Sequence, residues 1–409
     1  KLLKAVSVRG SRKLDMEDPE KFKAYTKEVR KLFEDHPVLG ESMKRFGTGG
    51  IVNTTNGRNI LPTRNFQKGH FDRAMDISGE FIEDHELKGV KTSCIHCPVT
   101  CGRDVEVEGV GVVKGPEYET LALLGSNLEI GDIKKVSEWN YHADDLGMDT
   151  ISLGATLSFA MELVERGMLD AKLHFGDQTG ITELIQDIGH RCGLGAELAD
   201  PRGSFAQGVE YATTNRGGCH VQGASMYMES VGPLTINPQN LKLKADIPIM
   251  QQNIACAINS MVLCIFTTYG MIPKAVHEMD PSSFTYRALA FAFENLPGWM
   301  LRGSMRIKGK PMLWFEKWLT YITGTTFSSG HLQEIGARIF NLERMYNLRE
   351  GLSAADDTLP PRILHESTFP EMESGHPLHL LLPRYYRKRG WSADGVPLPR
   401  TLETLQVRV

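Results

Sequence analysis

The segment Cys94-Ile95-His96-Cys97-Pro98-Val99-Thr100-Cys101-Gly102 spaces three cysteines as C-x2-C-x3-C. Three thiolates in one compact loop can face a common centre, but a [4Fe–4S] cube takes four. A fourth would have to come from elsewhere, and Cys192, Cys219, Cys256 and Cys264 are scattered downstream. Structural zinc is a rival, although it usually takes paired C-x2-C units. A Cys3His zinc site is awkward because His96 sits between two ligands. Three buried thiols holding no metal is the third reading. Seven cysteines in 409 residues are too few for a disulfide framework, and an odd number cannot all pair. A tight trio in a reducing compartment points to metal or redox chemistry.

Around this segment the chain has the profile of an ordinary globular protein, with 41% hydrophobic and 23% charged residues. The length suggests two or three domains. Lys plus Arg number 46 and Asp plus Glu 50, a net charge of −4 that disfavours bulk nucleic-acid or membrane-surface binding. No apolar run reaches the ~18 residues of a membrane span. No signal peptide is visible, so cytoplasm is the expected location. Because the first residue is Lys1, the sequence is open to being a fragment.

Residues 2–10 read as a strand closed by Gly10. Over 15–45, Phe22, Tyr25, Val29 and Phe33 recur at helical spacing among charges, which predicts a surface-exposed helix. Residues 46–75, rich in Gly, Asn and Thr, read as a loop. Alternation over 104–113 predicts a β-hairpin. A helix is predicted over 149–167, capped by Asp149 and stopped at Gly167. A second is predicted near 332–350, with Leu332, Ile335, Ile339, Leu342 and Tyr346 on one face. The fold class is therefore mainly α with small β elements. Gly193, Gly195, Pro201 and Gly203 mark a boundary that divides the chain into 1–192 and 193–409. Glu138 and His142, spaced i, i+4, read as solvated polar side chains rather than a metal pair.

Several stretches then resemble, in order, the aldehyde:ferredoxin oxidoreductase family of tungstopterin enzymes. They are the cysteine loop through Arg103; Gly115-Pro116-Glu117-Tyr118-Glu119-Thr120; Asp144-Asp145-Leu146-Gly147-Met148-Asp149, which matches a pterin-contacting D-x-x-G-x-D motif; Asn215-Arg216-Gly217-Gly218-Cys219-His220; and Arg338–Arg344 near the end. The family's second pterin motif, D-x-x-G-L-C, corresponds to Asn259-Ser260-Met261-Val262-Leu263-Cys264. Leu263 and Cys264 are kept, while Asn259 and Val262 replace Asp and Gly.

The resemblance implies two helical domains like the family's domains 2 and 3, with the N-terminal β base domain absent. It implies Cys94, Cys97, Cys101 and Cys264 as ligands of one [4Fe–4S] cluster that joins the two domains. Asp144, Gly147, Asp149, Asn259 and Leu263 would contact a tungsten or molybdenum bis-pterin in the complete enzyme. Glu119 would be the general base, with Glu117 as alternate, and His220 would polarise a substrate carbonyl. The implied reaction oxidises a small aldehyde and water to a carboxylic acid and passes electrons to ferredoxin. A Glu/His metal site bridging a homodimer would correspond to Glu138 and His190. The rivals are an electron-transfer or structural module without the pterin base, and a related reductase on the same scaffold.

Overall fold

The computed structural model describes residues 7, 9–11, 14–85, 90–192, 194, 208–215, 222, 241–298, 300, 314–359, 364 and 377–407. Among them, nine helices reach ten residues or more. They are α1 (Pro19–Glu34), α2 (Ile133–Asp145), α3 (Thr150–Glu165), α4 (Ile181–His190), α5 (Asp246–Ser260), α6 (Phe284–Glu294), α7 (Trp314–Thr323), α8 (Ser329–Arg349) and α9 (Leu378–Arg389). One antiparallel sheet runs β1 (Lys91–Thr92), β2 (Gly102–Val107), β3 (Gly111–Lys114). The fold is thus mainly α with small β elements, as the sequence predicts.

Local chemistry explains where the helices start. Asp18 accepts from the Lys21 N–H to cap α1, with Pro19 at the first helical position. Asp149 accepts from the Ser152 N–H at 2.7 Å to cap α3, as predicted. The predicted hairpin is β2–β3, with Val105 paired to Val113 and both Val105 and Val107 buried. The strand predicted over 2–9 lies almost wholly outside the described residues, as does most of the predicted boundary at 193.

Three expectations are corrected. The first helix ends at Glu34 and is not simply exposed: Val29 and Phe33 are buried, and the chain turns at Pro37 into short helical segments at Pro37–Ser42 and Met43–Phe46. Residues 46–75 are not one loop, because Ile51–Gly57 is helical, with Val52 and Thr55 buried. On α8 the buried face is Leu332, Gly336, Phe340 and Arg344, whereas Leu342 and Tyr346 are about half exposed. The apolar stripe was drawn one step off because Gly336 and Arg344 carry no hydrophobic signal. Gly336 is needed for close approach: a Cβ there would lie 1.8 Å from the Asn253 carbonyl oxygen of α5. Arg344 is bidentate to Asp357 at 2.7 Å on both arms, and Tyr386 donates to the same carboxylate. A buried guanidinium is tolerable only when its charge and donors are matched in this way.

Three apolar clusters hold the chain together. The first spans residues 52–188 and centres on the fully buried Trp139, whose indole N–H donates to Thr182. The second joins Val29, Phe33 and Val99 to Ile254 and Ile258 of α5 and Trp314 of α7. The third gathers Phe340, Tyr385 and Trp391 near the C-terminus. In the second, His36 and His277 meet edge to face with ring centroids 4.6 Å apart. Burial pushes the His277 imidazole down to about 4, with the neighbouring His36 opposing its charge; burial also lowers His36. Both rings are therefore stored neutral.

The folded pKa of His277 lies below the ordinary 6.5, so between those values the unfolded chain binds more protons. Stability should be intact above about pH 6.5 and fall as the pH drops toward 4. Urea denaturation of His277→Phe should show a shallower acid-side loss than the parent; an identical pH profile would count against a stored neutral imidazole.

Candidate metal and cofactor site

The cysteine trio occupies the hairpin loop between β1 and β2. Strand pairing of Lys91 with Arg103 and Thr92 with Gly102 closes the base of this loop. The Cys97 N–H donates to the Cys94 carbonyl at 3.0 Å, and His96 and Thr100 take left-handed backbone conformations at φ 61° and 49°. The loop is coiled tightly rather than extended. Gly47 (φ 65°) packs on its far side, where a Cβ would lie 2.8 Å from the Cys101 carbonyl oxygen. Arg103 straps the two segments: its guanidinium donates to the carbonyls of Thr100 (2.9 Å), Gly102 (2.7 Å) and Lys44 (2.6 Å).

Cys264 arrives from the other half of the chain. Helix α5 ends in a reversal in which the Val262 N–H donates to Asn259 O and the Leu263 N–H to Ile258 O. These are the two bonds of a Schellman cap. Cys264 follows at once, heading the 3-10 turn Ile265–Met271. Burial pushes the Cys101 thiol up to about 11, and charges at Glu117, Cys264 and Cys97 push it the same way. Cys264 is an exposed residue, yet protein around its sulfur also raises its pKa, with charges at Cys97 and Cys94 adding. Cys97, Cys101 and Leu263, the residue before Cys264, all pack against the second apolar cluster, so the end of α5 lies on the side of the cysteine loop. Burial disfavours the thiolate at Cys101 and at Cys264. A cationic centre is what makes four thiolates tolerable there, so these residues fit a metal group.

The Glu117 carboxylate lies beside Cys101. It accepts from Thr48 Oγ1 at 2.5 Å, and that hydroxyl accepts from the Tyr118 N–H at 2.9 Å. Burial raises the Glu117 pKa, and the charge of Glu119 adds to the effect, while Thr48, Lys114 and Arg103 oppose it. Glu119 is half-buried on the first turn after Pro116, so the two carboxyls of this motif feel one another.

The D-x-x-G-x-D motif is a helix end followed by a helix start. Gly147 (φ 68°) carries the Schellman cap of α2, with its N–H donating to Asp144 O and the Met148 N–H to Ala143 O. No atom lies near a Cβ built on Gly147, so it is the backbone turn that calls for glycine. Asp149 caps α3 and Asp144 is exposed. Asn259-Ser260-Met261-Val262 builds the same device at the end of α5, with Asn259 in the position of Asp144 and Val262 in that of Gly147. A buried Asn259 Nδ2 there has no hydrogen-bond partner. Leu263 packs against the second apolar cluster.

His220 and its neighbours at 216–219 lie outside the described residues. The flanks are anchored: the Asn215 N–H donates to Gln222 Oε1, and Asn215 Nδ2 donates to the Phe340 carbonyl of α8. Glu138 is engaged by Lys135 and Thr182, and His142 by Gln186. Arg103 and Thr48 are additions that sequence reasoning missed. The only signal for Arg103 was its place just after the last cysteine of the loop.

A mainly helical chain with this cysteine loop and these paired helix-end motifs has the build of an oxidoreductase family. A family model described as "Aldehyde ferredoxin oxidoreductase, domains 2 & 3" matches residues 24–200 and 199–407, and the chain belongs to that family. It is 33% identical to the tungsten-containing aldehyde ferredoxin oxidoreductase of Thermococcus kodakarensis, over 97% of this chain and 65% of that protein. It is 34% identical to the enzyme of the same description from Pyrococcus furiosus, over 100% of this chain and 67% of that protein. The chain thus spans about two thirds of the length of these curated relatives, which are tungsten-containing oxidoreductases. Among solved structures it resembles the active site complex BamBC of benzoyl coenzyme A reductase. There the TM-score is 0.57 at 19% identity, covering 98% of this chain and 67% of that one, a likeness of fold alone. Among the described residues no helix is long and apolar enough to cross a membrane.

Val262 is a β-branched residue at φ 57° and is 91% exposed. A left-handed conformation costs such a residue roughly 1–2 kcal/mol, and glycine gives back part of that through its unfolded-state entropy. Val262→Gly should raise stability by about 0.5–1 kcal/mol, read from the urea midpoint. A lower midpoint would mean that the valine side chain is held by contacts after all.

Proposed function

We propose that this chain is the helical part of a tungsten-dependent aldehyde oxidoreductase that converts an aldehyde and water to a carboxylic acid, two protons and two electrons. The observation that supports this is that the cysteine loop and the end of α5, which carries Cys264, pack against one apolar cluster. We take Cys94, Cys97, Cys101 and Cys264 as the ligands of one [4Fe–4S] cluster seated between residues 1–192 and 193–409, read as two domains. Among the described residues, no three His, Cys, Asp or Glu side chains converge as they would on one ion. A zinc ion draws its ligands to about 2.3 Å from a single point, whereas in a cube each cysteine ligates its own iron. When bound, the tungsten or molybdenum bis-pterin would accept two electrons at once, and the cluster would release them singly to ferredoxin.

The chain's own residues then divide the work. Asp144 offers an exposed carboxylate at the end of α2, and Asn259 offers a buried amide at the end of α5, for donors and acceptors of a pterin edge. Gly147 holds the first turn open, Asp149 fixes the start of α3, and Leu263 closes the apolar side. Glu119 acts as the general base on water or the aldehyde hydrate, with Glu117 beside it. Burial favours the protonated form of Glu117, and the charge of Glu119 adds to that effect. His220 polarises the carbonyl oxygen. The buried Glu117 and its Thr48 bond hold the motif in place.

Metal analysis of anaerobically prepared protein tests the assignment: about four irons per chain with tungsten or molybdenum is expected. Iron without either metal would reduce the protein to an electron-transfer module, and absence of iron would remove the cluster. Cys264→Ser should lose the broad visible iron–sulfur absorption, and an unchanged spectrum would take Cys264 out of the ligand set. In the protein carrying its full cofactor complement, Glu119→Gln should lower kcat by ~10²–10⁴-fold. Full turnover in that variant would exclude Glu119 as the base.

A further inference from the structure

We propose that Arg103 is the fixed counter-charge of the iron–sulfur site, setting its reduction potential while its hydrogen bonds tie the cysteine loop to the 43–47 turn. The proposal rests on the four-cysteine cluster reading above.

The guanidinium spends its donors on neutral oxygens. Nη1 donates to the Thr100 and Gly102 carbonyls, and Nη2 to the Lys44 carbonyl, with Met43 O at 3.5 Å. Carbonyls satisfy hydrogen bonds but do not cancel a unit charge. Among the described residues, no carboxylate lies within ion-pair distance of Arg103, although the side chain is half-buried. Burial works against its charge, and Glu83 and Glu117 work for it. Glu83 already pairs with Lys91 at 3.2 Å. Glu117 is hydrogen-bonded to Thr48 in surroundings that favour its protonated form. The two Nη1 bonds, to the carbonyls of Thr100 and Gly102, bracket Cys101, so the positive charge sits against the cysteine loop.

An isolated half-buried cation is costly, and a protein keeps one where an anion answers it. Four thiolates around a cube make an anionic centre. One-electron reduction makes that centre more negative still, so a fixed cation beside it stabilises the reduced form over the oxidised one. Arginine suits the task because it stays protonated at every working pH, and because its planar fork reaches several carbonyls at once. A lysine in its place would keep the charge but lose the fork. The two functions of Arg103, charge and strap, are therefore separable by substitution.

The test is an EPR-monitored reductive titration with dithionite, alongside iron content and visible spectra, on the parent and two variants. Arg103→Gln keeps donors and removes the charge. Its equilibrium constant for one-electron reduction should fall about tenfold, a midpoint ~59 mV more negative. Arg103→Lys should hold its midpoint within about threefold of the parent's equilibrium constant while losing iron faster on gel filtration. An iron-replete Arg103→Gln with the parent's midpoint overturns the proposal and leaves the cluster intact. An Arg103→Lys midpoint displaced by tenfold also overturns it, and this variant decides the matter if Arg103→Gln retains no cluster. A parent protein without iron–sulfur absorption removes the cluster reading itself, and this inference with it.

Discussion

The structure depends on one meeting of two distant chain segments. A hairpin loop carrying three cysteines is held to the 43–47 turn by Arg103 and Gly47, and the end of α5, which carries Cys264, packs on the side of that loop. Both segments rest on the second apolar cluster, where Val99 of the loop packs with Ile258 of α5. Apolar burial brings the backbones together. Burial disfavours the thiolates of Cys101 and Cys264 there. The protein thus builds a site that is unfavourable when empty of charge and favourable when a cationic centre arrives, which is how metal assembly and folding become coupled.

The two pterin-type motifs turn out to be one device used twice. In each, a polar residue sits two positions before the helix C-cap, and a left-handed residue follows the cap to reverse the chain. The Asp144 side chain is exposed at the first copy, whereas the Asn259 amide nitrogen is buried at the second. At the first copy glycine makes the turn at little cost. At the second, Val262 accepts strain, and the amide of Asn259 takes the place of a carboxylate. The change from acid to amide replaces charge-assisted acceptance with one acceptor and two donors. A cofactor edge held there would be gripped differently on its two sides.

Much of this was legible in the residues themselves. The C-x2-C-x3-C spacing, the alternation over 104–113 and the Asp149 cap are local patterns, and local patterns survive into the fold because they are governed by neighbouring backbone. The errors arose where tertiary packing outweighed local signal. Residues 51–57 read as loop because Asn, Thr and Gly disfavour helices, yet burial of Val52 and Thr55 against the first cluster holds them helical. The face of α8 was misdrawn because its closest approach uses a glycine and its deepest contact an arginine. Neither residue type announces burial.

The sequence by itself determined the chemistry: which residues can ligate iron, which can hold a proton, where helices begin and end, and the order of motifs that identifies the family. Those properties depend on side-chain type and short spacing, which a linear chain carries explicitly. Only the tertiary structure decided that the end of α5 and the cysteine loop share one apolar cluster, and that the Arg103 guanidinium straps the loop to the 43–47 turn. These depend on distances across 160 or more residues of chain for Cys264. Such distances are set by the packing of apolar faces and not by any residue's neighbours in sequence.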